Sequence, residues 1–455
     1  MLPGLSREGQ AVLSALVAAT GAPPAADAVA RQVGLANRYR LARRLDRDGL
    51  PPFGELADWI SILQLLWQSE ATGDPLLPIA LERGLEPATC YRRCRRTLGV
   101  PWRAARRRGF AWGMGRFLAR CARGRRAALR PAGLTLAVAR SLESARPPAV
   151  PRPPARPGRP GRAAGRPRGV VAYHLPLGDA PTDVAVSPGG VIYATRAFAA
   201  QVDRIDLRAR RSVVSIDVGA NPTRLAFDPT GRVAYVTNQF DDSVSVVDVS
   251  RNLQVDDLPV AGDPAPVVAS ADGRHLFVCT NDDELVCLNV LSRRVRARLA
   301  LPATSHHLTE HPRAGVLYVS TRAAGTVMEV ETPSLRVRRT FHLGGRTQAL
   351  VVAPDGTELY VADELGAVHV VALEAGVPAA TVHLPAGAYG LALTPDGEQL
   401  FVTMPGAGCV QVLDRVSRRH VQTVITGGAP RHTAFTADGR TGLIVNERGW
   451  ITVVW

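Results

Sequence analysis

Residues 219–250 read GANPTRLAFDPTGRVAYVTNQFDDSVSVVDVS. An apolar run (LAF) enters a DPTG turn, a β-branched and aromatic run (VAYVTN) leaves it, and an alternating run (SVSVVDV) follows a short polar loop. The preceding SVVSIDVG at 212–219 supplies one more alternating run that ends in glycine. Alternating runs of this length, bounded by Gly, Pro, Asn and Asp, are the pattern of short strands joined by tight turns.

The turn recurs as SPGG at 187, SADG at 270, HPRAG at 311, APDG at 353, TPDG at 394 and TADG at 436, at steps of 41 or 42 residues. Seven four-stranded units at that period predict a β-propeller. The run VVAYHLPLG at 170–178 has the character of a fourth strand, and the chain stops at ITVVW, which has the character of a third. The first run is therefore expected to complete the last unit and leave no free sheet edge. The expected fold is a closed seven-bladed disc over residues 170–455.

AYVTNQFDDSVSVVDV at 234–249, with weaker forms at LYVST, LYVAD and LFVTM, resembles the YVTN-type repeat of seven-bladed propellers. That resemblance implies a fold and leaves function open.

The 455 residues hold 46% hydrophobic side chains, enough for more than one core. No run of 18 apolar residues exists, so no membrane contact is expected. The opening MLPGLSREGQ lacks the pattern of a secretory signal, and the expected compartment is the cytoplasm. Six scattered cysteines form no CxxC pair and read as buried apolar side chains. Every basic side chain is arginine, and the charge is lopsided: residues 1–168 carry 30 Arg against 11 acidic residues, the remainder 25 against 29. Positive charge is thus concentrated before the propeller, where a polyanionic partner is expected.

A second duplication, with a period of 50, lies in that basic part. VARQVGL at 29–35 matches IALERGL at 79–85, and fifteen residues beyond each glycine stand GLP at 49 and GVP at 99. The small Ala suits a close helix crossing and the Gly a left-handed turn, so each unit reads as a helix-turn-helix. A basic helix follows each turn, ANRYRLARRLDRD at 36–48 and EPATCYRRCRRTL at 86–98. In the latter, Cys90, Cys94 and Leu98 are expected inward, and Thr89, Arg92, Arg93 and Arg96 outward. FGELADWISILQLLWQSEA at 53–71 reads as an amphipathic helix joining the two units.

PIALERGLEPATCYRRCRRTLGVPWRAARRRG at 78–109, with the looser first unit, resembles the DNA-binding domain of AraC-type transcription regulators, which here stands first in the chain. The resemblance implies double-stranded DNA as partner, with Asn37, Arg38, Arg40, Arg44, Thr89, Arg92, Arg93, Arg96, Arg103, Arg106 and Arg107 at the interface. Residues 1–109 form this expected domain. Residues 110–145 are a helical extension, and 146–168, rich in Pro, Arg and Gly, a spacer. A homodimer is compatible with this organisation.

Aligning the propeller units places Asp183, Arg224, His307 and His432, with His306, Gln348, Tyr389 and Arg431 beside them, at the start of innermost strands by the channel mouth. They read either as a site for a small anion, a metal or haem, or as hydrated loop residues. No carboxylate pair, nucleophile elbow or phosphate loop accompanies them, so no catalytic residue, metal or cofactor is assigned. The expected function is a sequence-specific transcription regulator whose propeller binds a ligand or a protein. A lactonase-like propeller hydrolase and an interaction scaffold are the alternatives.

Overall fold

The chain divides into two units, Met1–Gly161 and Arg162–Trp455, in a computed structural model. The structure describes residues 5–19, 22–73, 76–85, 87–100, 102–123, 169–178, 180–313 and 315–455. The spacer at 146–168, and the extension from 124 onward, lie outside the described residues.

Seven helices are described in the first unit: α1 (Arg7–Ala18), α2 (Ala26–Gln32), α3 (Arg38–Arg47), α4 (Phe53–Thr72), α5 (Leu76–Glu82), α6 (Pro87–Leu98) and α7 (Trp102–Arg123). The period-50 duplication is visible in the backbone. After α2, Gly34 turns left-handed at φ 77° and the Leu35 N–H reaches the Ala30 carbonyl at 2.8 Å. After α5, Gly84 does the same at φ 65°, and the Leu85 N–H reaches the Ala80 carbonyl at 2.8 Å. These six-to-one closures satisfy carbonyls that a helix end leaves open. Ala30 and Ala80 are both fully buried, as the small side chain at that position requires.

α4 differs from the amphipathic helix expected. Besides Trp59, Ile62, Leu63 and Leu66, it buries Leu56, Ile60 and Leu65, because α1, α3, α5, α6 and α7 surround it. Each such aliphatic side chain contributes roughly 1.5–3 kcal/mol when fully buried. The polar side chains on α4 have partners: the Gln64 amide donates to the Val17 carbonyl at 2.7 Å, and Gln68 accepts from the Arg83 Nε at 2.6 Å. α7 leaves helical geometry at Gly109 (φ 77°, ψ 175°), where the Glu70 carboxylate accepts the Phe110 N–H at 2.7 Å. The part beyond Gly109 lies back along α4, with Phe117 5.6 Å from Trp59 and Arg120 forked onto Glu55 at 2.6 and 2.8 Å.

The second unit is a seven-bladed β-propeller. Six blades are consecutive four-stranded antiparallel sheets, at 184–217, 222–259, 264–300, 308–342, 347–383 and 391–425. The seventh joins three strands at 430–454 to Val171–Pro176, whose Leu175 pairs with Ile451. The closure expected from the sequence is thereby present. Second strands are buried on both faces, whereas fourth strands alternate exposed and partly buried positions. This gradient arises because neighbouring blades sandwich each sheet near the axis and splay apart outside it. The blade cores are shared: Val445, Ile451 and Val453 of blade seven pack on Val184, Ile192 and Ile205 of blade one.

The Asn of YVTN and its equivalents anchor loops. Asn446 accepts from the Ala429 N–H at 2.9 Å and donates to the Gly427 carbonyl at 2.7 Å; Asp363 accepts from the Arg346 N–H at 2.8 Å. These side chains press on the backbone before the next strand, and glycine stands there because a Cβ on Gly219 would lie 2.6 Å from Asn238 Cβ.

Candidate functional site

Two groups of side chains were singled out by the sequence, one in each unit. On α3, Arg38 and Arg40 are exposed and Arg44 is half-buried, 3.5 Å from Glu8, while Leu41 and Leu45 face the core. Asn37 is the N-cap: its side-chain oxygen accepts the Tyr39 and Arg40 N–H groups, both at 3.1 Å. That oxygen serves the helix end. Asp27 of α2 accepts the Arg38 N–H at 3.0 Å, which fixes α3 against α2.

On α6, Cys90, Cys94 and Leu98 point inward as expected. Thr89, Arg92 and Arg96 are exposed, Arg96 reaching Asp58. Arg93 departs from the expected outward position. Its Nε lies 2.8 Å from Asp58 and its Nη1 donates to Ser61 Oγ at 3.1 Å, so it is tucked against α4. The cause is Asp58, an acidic side chain on the packed face of α4 that α6 approaches. Arg106 and Arg107 are exposed on α7, Arg106 donating to the Gly73 carbonyl; the Arg103 side chain lies outside the described residues. α3 and α6 therefore each present arginines to solvent while both pack on α4.

At the propeller mouth, residues far apart in sequence meet. The His307 and His432 rings, from blades four and seven, stack with centroids 6.2 Å apart and planes 16° from parallel. Tyr389 of blade six stands edge-on to His432 at 5.6 Å, and the Arg431 guanidinium lies 4.4 Å from the Tyr389 ring centre. Asp183 and His307 perform the same structural task in their blades. Asp183 accepts the Leu225 N–H of blade two at 3.0 Å, and His307 Nδ1 accepts the Leu350 N–H of blade five at 3.3 Å. That bond assigns the neutral His307 proton to Nε2.

The electrostatics follow first from burial and then from nearby arginine charges. Desolvation, then the Arg224 charge, pushes His307 down to about 3. His306 is pushed down to about 4 by burial, with Arg322, Arg224 and Arg431 adding to it, and His432 is lowered well below the usual range by burial and by Arg224. Asp183 is raised to about 6 by burial, against the opposing pull of Arg224. Arg322 forks onto Glu364 at 3.0 and 2.6 Å, Gln348 donates to the same carboxylate, and Arg431 holds Glu447.

Arg322, Glu364 and Glu447 were not among the sequence candidates. They occupy one repeat position, directly after the Asn of YVTN or its equivalent, so aligning the units on that residue reveals them. Asp363, His369 and Thr381 form a further chain, His369 Nε2 lying 3.3 Å from Asp363 and Nδ1 3.2 Å from Thr381. The matching positions of blade two hold Asn238, Ser245 and Asp257, bonded in the same order at 2.8 Å each. It is a polar rung across the blade, repeated for structural reasons. Among the described residues no group of three or more His, Cys, Asp or Glu is arranged to hold a metal ion. The six cysteines are buried and none is in a disulfide, and no helix among the described residues is long and apolar enough to cross a membrane.

No family model matches the chain, and no curated protein does. Among solved structures it is similar to the hydrazine synthase of Kuenenia stuttgartiensis, at 20% identity over 64% of this chain and 98% of that one, with a TM-score of 0.56. The likeness is one of fold, the seven-bladed propeller.

Proposed function

We propose that the chain is a sequence-specific DNA-binding transcription regulator, in which the helical unit reads double-stranded DNA and the propeller is a ligand-sensing or protein-interaction module. One observation carries the first half: α3 and α6 both start directly after a short helix and a glycine turn, both pack on α4, and both expose arginines. A helix placed in this way is what helix-turn-helix proteins insert into a major groove, and arginine pairs with guanine edges there. The resemblance of residues 78–109 to AraC-type domains supports the same reading. The convergence of His307, His432 and Arg224 at a channel mouth supports the second half. A cytoplasmic location suits a protein that meets DNA.

The test is selection of bound sequences from a random DNA pool by the full chain, with a salt titration. Enrichment of one motif, weakened by Arg92→Ala, is the expected result. Binding without enrichment, lost steeply with salt, would show charge attraction alone and sink the regulator reading.

A further inference from the structure

We propose that the propeller mouth binds a small oxyanion, held by the Arg224 guanidinium and the imidazoles of His307 and His432. The inference deepens the sensing half of the proposed function and stands whether or not the helical unit binds DNA.

Arg224 is the cation left without a carboxylate partner. Arg322 and Arg431 at the same mouth are neutralised by Glu364 and Glu447. Arg224 forms no ion pair within 4 Å among the described residues; its Nη1 donates to the Thr223 carbonyl at 3.4 Å, and its buried Nε has no partner. The carboxylate whose charge it feels is Asp183, and both Asp183 oxygens already accept backbone N–H groups, from Val184 and Leu225. A buried donor without an acceptor is costly, so a ligand that supplies one gains that energy on binding.

The histidines complete the site. The buried Nε2 of His432 has no partner. His307 has its Nδ1 occupied by the Leu350 N–H and therefore offers Nε2–H as a donor. At 6.2 Å the two rings are too close to admit an atom layer at normal contact of about 3.5 Å on each side. The ion therefore lies at the ring edges, beside Arg224, and must be small. The charged and titratable groups facing it are Asp183 from blade one, Arg224 from blade two, His306 and Arg322 from blade four, Glu364 from blade five, Tyr389 from blade six, and Arg431 and Glu447 from blade seven. Burial first, and then the Arg224 charge, keeps His307 and His432 neutral. An anion beside Arg224 cancels the second of these, so binding is coupled to proton uptake at His432, whose Nε2 is unoccupied, while His307 Nδ1 stays with the Leu350 N–H.

The full chain is titrated calorimetrically with sodium phosphate, sulfate and nitrate at fixed ionic strength, chloride being the reference, in two buffers of different ionisation enthalpy. Saturable one-to-one binding with proton uptake is expected, weakened about tenfold or more in Arg224→Gln and in His432→Gln, and unchanged in Arg296→Gln on an outer strand. A methyl phosphate arm that binds more tightly than phosphate assigns a phosphorylated small molecule, and one that binds more weakly assigns the free ion; both uphold the site. Absence of saturable binding, or equal affinity in a folded Arg224→Gln, overturns it. Should that variant not fold, imidazole 15N shifts of His307 and His432 in the unaltered chain decide: movement with phosphate supports the site, and stationary signals overturn it.

Discussion

The imidazoles of His307 and His432 face one another from blades four and seven, 6.2 Å apart and 16° from parallel, with the Arg224 charge acting on both. Both are held neutral, so the unfolded chain takes up their protons first. Their contribution to stability is present above an unfolded value of about 6.5 and is lost as pH falls towards about 3 for His307. His306 follows the same direction, towards about 4. Asp183 opposes them: its value is raised to about 6, so its contribution is full below its usual range and disappears as pH rises through 6. Three histidines outweigh one aspartate, and the propeller is expected to lose on the order of a few kcal/mol between pH 6.5 and 4. Calorimetric melting across that range checks it, and a His307→Asn, His432→Asn double variant should show a distinctly shallower fall.

Closure of the disc depends on a strand far from its sheet partners in sequence. Leu175 is fully buried and pairs with Ile451, and without that strand the edge at Trp450–Val454 would be open. Leu175→Asp places an unpaired charge in that core and is expected to lower stability by about 3–5 kcal/mol, with aggregation through the open edge. Leu291→Asp, on an 86% exposed side chain, is the matched control and should leave the melting temperature unchanged.

The propeller was legible because its turn chemistry repeats at a fixed period, and even the closure was visible in the character of residues 170–178. The mouth was legible in part. His307 and His432 sit at the same repeat position as Asp183, so alignment on the first strand found all three. Arg322, Glu364 and Glu447 lie on a different position and emerge only when the unit is aligned on its Asn. The orientation of Arg93 was not legible, because it depends on Asp58 of another helix, and helical spacing alone does not report which neighbour approaches. The same holds for α4, whose composition shows one apolar face while its surroundings bury every side.

Arg92 and Arg93 are adjacent in sequence and opposite in role. Arg93 is ion-paired with Asp58 and donates to Ser61 at the α4 surface, whereas Arg92 is exposed and meets Thr89 at 3.4 Å. Arg93→Ala should cost the helical unit about 1–3 kcal/mol by leaving Asp58 less satisfied. Arg92→Ala should change stability by no more than about 0.5 kcal/mol, and under the proposed function its effect falls on DNA affinity instead. Melting of the two variants beside their DNA titrations separates the roles, and equal destabilisation would mean that the α6–α4 packing is misjudged.

Gly344 and Gly345 test how the mouth is held. Both adopt left-handed backbone, at φ 74° and 66°, so either Ala variant costs roughly 1 kcal/mol in conformation. Space separates them: nothing lies within 4 Å of a Cβ at Gly344, whereas one at Gly345 would fall 2.0 Å from Asp363 Oδ2. Asp363 cannot move without releasing the Arg346 N–H, and Gln348, which donates to Glu364, is carried two residues further on. Gly345→Ala is therefore expected to destabilise by at least about 2 kcal/mol more than Gly344→Ala, since it adds the loss of a buried charge-assisted bond. It should also loosen the Glu364–Arg322 pair and so weaken phosphate binding at the mouth, while Gly344→Ala leaves binding intact. Equal melting temperatures for the two variants would show that Asp363 is not what holds this loop.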